Sequence, residues 1–199
     1  CNNPLSFAIP SGRHPAIVLD MAMSVAAGGR GRLAAKTGEK IPFGWIIDGE
    51  GRDTDDPGAL TADSGALLPL GYKGYGLAVV GEILTGVLSG AKVLDEIPLW
   101  FADPQSAVGN GHFHLAIDIN RFIEVKTFKS RVDHVVDLLK STPTREGVEE
   151  ILMPGEREAR REEEQLKDGV SLARPVVADL LKAARDLDVE PPTSMTAAG

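Results

Sequence analysis

With 199 residues, of which 43% are hydrophobic and 25% charged, the chain has the profile of a folded globular protein with one sizeable core or two small ones. A formal net charge of -8 argues against a surface built for nucleic acid or anionic lipid and leaves small molecules or proteins as partners. The sole cysteine, Cys1, can neither close an internal disulfide nor build a thiolate zinc site, which fits a reducing compartment and makes the cytoplasm the default location.

Pro4 to Ile9 and Ala16 to Asp20 read as two strands separated by the turn-forming Ser11-Gly12-Arg13. Met21 to Lys36 has helical spacing, although Gly28, Gly29 and Gly31 would each cost about 1 kcal/mol relative to alanine in a helix interior. From Gly38 to Gly65 the glycine, proline and aspartate content describes a long loop around a short apolar element, Trp45-Ile46-Ile47. Loops of that length are often functional or interface-forming. Asp53, Asp55 and Asp56 within it lack the twelve-residue pattern and closing glutamate of a calcium loop and read as turn residues.

The run Gly71-Tyr72-Lys73-Gly74-Tyr75-Gly76 leads directly into the apolar stretch Leu77 to Leu88. It reads as a binding loop feeding a buried helix: glycine lets backbone N–H groups approach an anion, one lysine adds charge, and a helix N-terminus adds unpaired donors. A phosphate-bearing cofactor is the natural guest, and close helix packing is the competing explanation for the glycines. Neither Gly-x-Gly-x-x-Gly nor Gly-x-x-x-x-Gly-Lys occurs in the chain. Leu77 to Leu88 is too short to span a bilayer and is interrupted by Gly81, Glu82 and Gly86, so it is expected as a core or subunit-interface helix.

His112 to Asp118 alternates, with Phe113, Leu115 and Ile117 on one face, as a strand requires. His112, His114 and Asp118 share the other face and could bind zinc or iron, but ordinary exposed polar roles account for them and no metal is expected. Val132, Val135, Val136 and Leu139 fall at i, i+3, i+4 and i+7 of an amphipathic helix, with His134 exposed beside the stripe. Ile151-Leu152-Met153 ends at Pro154-Gly155, after which Glu156 to Lys167 is densely charged and helix-favouring. Val177, Leu180, Leu181 and Ala184 predict a last helix, and the segment from Glu190 has nothing to pack. Alternation of strands and helices gives the class as α/β, with residues 1–189 as one unit and 190–199 as a flexible tail.

Several motifs taken in order carry a resemblance. They are Asn3-Pro4, Asp20-Met21-Ala22-Met23-Ser24, Ile41-Pro42-x-Gly44-Trp45, Asp55-Asp56-Pro57, Leu67-Leu68-Pro69, Lys73-Gly74-Tyr75-Gly76, Gly111-His112-Phe113 and Pro154-Gly155-Glu156. Together they resemble the malate/L-lactate dehydrogenase family, which also holds ureidoglycolate and sulfolactate dehydrogenases and cyclic-imine carboxylate reductases. The resemblance implies a mixed β-sheet covered by helices, not a Rossmann fold, that binds NAD or NADP and works as a homodimer on a 2-hydroxy acid, a 2-oxo acid or a cyclic imine carboxylate. It places cofactor contacts on Asp20, Met21, Ala22 and Ser24, on Lys73 and Gly74, and on Pro154, Gly155 and Glu156, with substrate contacts on Asn2 and Gly29. In part, the physical chemistry agrees: Lys73 can neutralise a phosphate, Gly74 lets backbone approach it, and Gly155 with the helix behind it offers N–H donors.

The sequence departs from that family in three places. Its N-terminal region, with the Ser-His-Gly stretch that supplies the acid/base histidine, has no counterpart here, and His14, His112, His114 and His134 do not match it. Carbonyl reduction needs such a proton donor, so this chain is expected to be catalytically incomplete alone. Cys1-Asn2-Asn3-Pro4 stands where the family has Gly-Thr-Asn-Pro, and Gly28 stands where it carries an arginine, a role Arg30 is positioned in sequence to take. The chain starts without methionine or a signal-type leader, which reads as a fragment, a processed product or a trimmed form. An alternative explains Cys1 as the nucleophile of a self-processed amidohydrolase, its own α-amino group serving as base. A further alternative is an acidic, non-catalytic subunit that dimerises through the Leu77 to Leu88 helix; cofactor binding separates it from the dehydrogenase.

Overall fold

The computed structural model describes residues 3–61, 65–98 and 105–192. Strands β1 (Leu5–Ile9) and β2 (Ile17–Met21) form an antiparallel hairpin in which Ser6 faces Asp20 and Phe7 faces Leu19. The turn between them is fastened from outside: the Asp133 carboxylate accepts the Gly12 N–H at 3.0 Å and the Arg13 N–H at 3.0 Å. A side chain at residue 12 would press on that carboxylate and displace the clamp, which glycine avoids.

The helix expected from Met21 starts later, as α1 (Gly28–Thr37). Residues 23–25 are held extended instead, because Ser24 forms a β-bridge with Pro69, the Val25 N–H reaches the Leu68 carbonyl at 2.9 Å and the Leu70 N–H reaches that of Met23 at 2.8 Å. Backbone pairing with a distant segment outweighs local helical spacing here. Of the three glycines, Gly28 and Gly31 are buried, and Gly31 brings α1 against Leu60 of the short helix α2 (Gly58–Thr61). α1 ends where Gly38, left-handed at φ 74°, donates its N–H to Ala34.

The long loop is more ordered than its composition implies. Ile46–Ile47 (β3) is the central strand of a small antiparallel sheet between β4 (Asp53–Thr54) and β5 (Ala66–Leu67). Ile46 is fully buried with Ala34 and Ile41, and Trp45, Ala59, Leu60 and Leu67 pack around them. Asp56 accepts the Gly58 N–H at the start of α2, and Asp55 pairs with Lys40, both turn-side roles.

The glycine run is not a loop. It is the first half of α3 (Gly71–Glu82), which continues through a π-helical turn at Ile83–Val87. Leu70 seeds the helix by accepting the Gly74 N–H at 3.0 Å, and Gly74 is buried because a Cβ there would press on Leu70 and on the Met23 carbonyl. Nor is the helix buried. Tyr72, Tyr75, Val80, Ile83, Val87 and Leu88 are exposed, since no described element covers that face.

The predicted strand at His112 to Asp118 is irregular, and Phe113, Leu115 and Ile117 are exposed. Alternation is in place, but a strand also needs a partner ladder, and none of the described residues supplies one. The remaining helices follow the sequence reading: α4 (Val125–Ser141), α5 (Glu156–Asp168) and α6 (Arg174–Asp186). On α4 only Val136 of the apolar stripe is fully buried; Val135 and Leu139 stay open. Among the described residues, two small antiparallel sheets, with α2 packed against β5 and six helices accompanying them, make an α/β architecture. Residues 193–199 of the expected tail lie outside the described residues.

Candidate cofactor site

β2 is the element that gathers the candidate residues. Near its start, the Val18 N–H donates to the Pro154 carbonyl at 3.1 Å. Gly155 follows in a left-handed conformation, φ 86°, so close that a Cβ would lie 2.9 Å from the Val18 carbonyl oxygen. Toward its other end, Asp20 and Met21 of the strand and then Ala22 lead to Met23, whose carbonyl receives the Leu70 N–H and faces Gly74. Val18 and Met23 are at most about 17 Å apart along an extended chain. The segments 20–24, 73–74 and 154–156, scattered in sequence, are therefore strung along β2 and the residues that directly follow it.

Charge at the α3 end favours an anion. Lys73 is exposed and forms no ion pair among the described residues; its Nζ lies 5.8 Å from the ring centre of neighbouring Tyr72. α3 has no acidic residue in its first turn, and the N–H groups of Tyr72 and Lys73 have no described backbone partner. A free ammonium beside unpaired first-turn donors is the donor set a phosphate requires. Asp20 is exposed on β2, whereas the Ser24 hydroxyl is engaged locally, donating to the Ala26 carbonyl at 2.9 Å.

Glu156 has a different task from the one its motif suggests. Its carboxylate accepts from Lys140 at 2.8 Å and from the Met153 N–H at 3.0 Å, and it also binds Arg160. The Lys140 ammonium foremost, with the Met153 N–H, holds the Glu156 carboxyl down to about 2. The side chain thereby ties α5 to α4. Glu156 and Glu158 already occupy the first turn of α5, so the expectation that this helix offers an anion site behind Gly155 gives way to a narrower one. The Gly155 N–H is the donor that remains for a ligand.

Gly29 lies exposed in the first turn of α1, with open space around its Cα, while neighbouring Gly28 is buried against Leu67. Asn2 and Cys1 lie outside the described residues, so neither the substrate contact nor the nucleophile reading has a geometry here. His112 and His114 stack on one another with ring centres 6.3 Å apart. Sequence reasoning missed a pair: Asn3 donates its side-chain N–H to Glu82 at 3.0 Å. The available signal was one acidic residue in the otherwise apolar run Leu77 to Leu88.

Comparison with known proteins places the chain in a family. The model of the malate/L-lactate dehydrogenase family matches residues 1–181. A malate/(S)-sulfolactate dehydrogenase of Methanothermus fervidus is 34% identical over 189 residues, covering 94% of this chain and 53% of the relative. A (2R)-3-sulfolactate dehydrogenase (NADP(+)) of Chromohalobacter salexigens is 36% identical over 183 residues, 91% of this chain and 51% of the relative. The crystal structure of malate dehydrogenase from Entamoeba histolytica superposes with a TM-score of 0.84 at 26% identity, over 95% of this chain and 55% of that one. The chain thus spans about half the length of the curated relatives it matches. Over that half, the chain belongs to the malate/L-lactate dehydrogenase family.

Proposed function

We propose that the chain forms the nicotinamide-binding portion of an NAD(P)-dependent oxidoreductase acting on a small 2-hydroxy or 2-oxo acid, with a cyclic imine carboxylate as the alternative substrate. The observation that carries this reading is that residues 18–23 link the Pro154-Gly155 backbone at one end to the start of α3 at the other, where Lys73 is a cation with no ion-pair partner among the described residues. The malate and sulfolactate activities named for the relatives support a carboxylate-bearing substrate.

The residues present fit a dinucleotide. Lys73 and the free N–H groups of the first turn of α3 would hold a phosphate, the Gly155 N–H would face the ligand at the other end of β2, and Asp20 can accept from a ribose hydroxyl or a carboxamide. When bound, the nicotinamide gives or takes the hydride. Proton transfer falls to a histidine outside this chain. His14, the histidine nearest the hairpin, is already held by Asp137 at 2.8 Å.

We also take residues 1–189 as one cofactor-binding unit, and the partner across the open apolar face of α3 as a second copy of the protein. No helix among the described residues is long and apolar enough to cross a membrane. The single cysteine suits a reducing compartment, and we place the protein in the cytoplasm. The test is kinetic: in the intact enzyme, Lys73→Glu raises the KM of the nicotinamide cofactor more than that of the acid. An equal rise in both removes Lys73 from the cofactor site.

A further inference from the structure

A cleft of about 580 Å³ lies between the β1–β2 turn and the N-terminal half of α4. Gly12 and Arg13 line it from the turn, and Lys126, Lys129, Ser130 and Asp133 line it from the helix. Positions 126, 129, 130 and 133 fall at i, i+3, i+4 and i+7 of α4, so the helix itself gathers them on one face. The charge of this cleft opposes that of the molecule: three cations and one carboxylate line it, in a chain of net charge -8.

The neighbouring carboxylates do not neutralise the two lysines. Asp133 is buried, and its oxygens accept the N–H groups of Gly12 and Arg13 at 3.0 Å. Asp137 pairs with Arg13 and His14, and Glu124 accepts the Thr127 hydroxyl at 2.7 Å. Lys126 and Lys129 form no ion pair among the described residues, and Lys129 is half-buried. A half-buried ammonium beside a second unpaired one raises the local potential, which an anion would relieve. The first turn of α4, to which Val125 and Lys126 belong, carries no acidic residue, so the positive end of the helix adds to the same field. We propose that this cleft is a second anion site, which takes a phosphate group, free or carried by a small metabolite, between Arg13, Lys126, Lys129 and the Ser130 hydroxyl. A phosphate has enough acceptor oxygens to be shared among several cations and a hydroxyl, and the cleft volume falls in the range of small-molecule sites.

The site is separate from the one along β2. Lys140, which reaches Ile151 and Glu156 beside Gly155, lies about 16 Å further along α4 than Lys129. The anion site therefore stands whether or not the oxidoreductase reading does. A phosphate held there ties the hairpin turn to α4, the two elements that Asp133 already joins.

Thermal unfolding of the full-length protein at constant ionic strength, with inorganic phosphate or glycerol 3-phosphate replacing chloride, tests the site. The melting temperature rises saturably with the phosphate compound, as binding to the folded state requires, and amide exchange at residues 12–14 slows. Lys126→Gln and Lys129→Gln each weaken half-saturation about fivefold, the upper range for a partly exposed charge pair, while their melting temperatures in chloride stay near wild type. Lys129→Arg keeps the charge and the response, which separates charge from packing should either glutamine variant melt early. Lys73→Glu, in the cofactor site, leaves the response in place. Saturation by inorganic phosphate makes the free ion the ligand; saturation by glycerol 3-phosphate alone makes it a phosphorylated metabolite. No rise beyond chloride with either compound overturns the site, and so does a response that Lys73→Glu abolishes and both glutamine variants retain.

Discussion

Gly155 lies against the backbone of Val18, and its left-handed conformation lets the preceding Pro154 carbonyl accept the Val18 N–H at 3.1 Å. One residue without a side chain thus joins the segment ahead of α5 to the strand that organises the site. Any Cβ there meets both a disfavoured φ and the Val18 carbonyl oxygen at 2.9 Å. Gly155→Ala should therefore lower the unfolding free energy by about 2 kcal/mol or more. Urea denaturation checks this, and an unchanged midpoint would remove the junction from the fold's support.

Glu156 gives the protein an acid-sensitive joint. Its folded carboxyl sits at about 2 against an ordinary 4.5, so the stabilisation is fully present above the ordinary value and lost as pH falls from about 4.5 toward 2. Lys140 and Arg160 are partly exposed, which screens the pair and leaves roughly 1–2 kcal/mol at neutral pH. Glu156→Gln should cost that much at pH 7 and little by pH 2. Parallel stability curves for the two proteins across that window would show that the carboxylate does not report on folding.

Lys73 makes its contribution through charge. The KM of the cofactor should rise with ionic strength in the wild type, because salt screens an exposed cation from a phosphate. In Lys73→Ala the KM starts severalfold higher at low salt, the scale of one charge-assisted contact, and its salt dependence flattens. Titration of NADH or NADPH fluorescence at two salt concentrations measures both; identical slopes in the two proteins would separate Lys73 from the phosphate.

Asp133 is the clamp on the β1–β2 turn. Burial by itself would raise its carboxyl, but the N–H groups of Arg13, Gly12 and His14 outweigh that and hold it below the usual carboxylate range. Its folded value being depressed, the clamp stabilises above the ordinary carboxylate pKa and weakens as pH falls through the folded one. Asp133→Ala leaves three backbone donors without this acceptor and should destabilise more than Asp133→Asn, which keeps one oxygen. Faster amide exchange at residues 12–14 should accompany the loss. Unaltered protection there in Asp133→Ala would mean the turn holds without it.

Elements governed by neighbours in sequence were legible from the residues alone. β1 and β2 followed from apolar, β-branched runs around a turn, α4 from its heptad-like spacing and α5 from its charged, helix-favouring composition. The glycine and lysine chemistry of residues 71–76 was readable as well, because residue type sets which donors and charges are on offer. Where those residues sit was not. The start of α1 was delayed by the pairing of Ser24 with Pro69, the glycine run became helix once Leu70 was anchored on Met23, and residues 112–118 stayed unpaired despite perfect alternation. Local periodicity records which face of a segment is apolar but carries no term for what lies opposite it. The bond from Asn3 to Glu82, across 79 positions, is the clearest case: each residue alone is an ordinary polar side chain, and only folding places the amide against the carboxylate. Sequence determined the chemistry available to this protein; the tertiary structure decided which groups share a site, because hydrogen bonds and burial act over ångströms of space rather than positions in a chain.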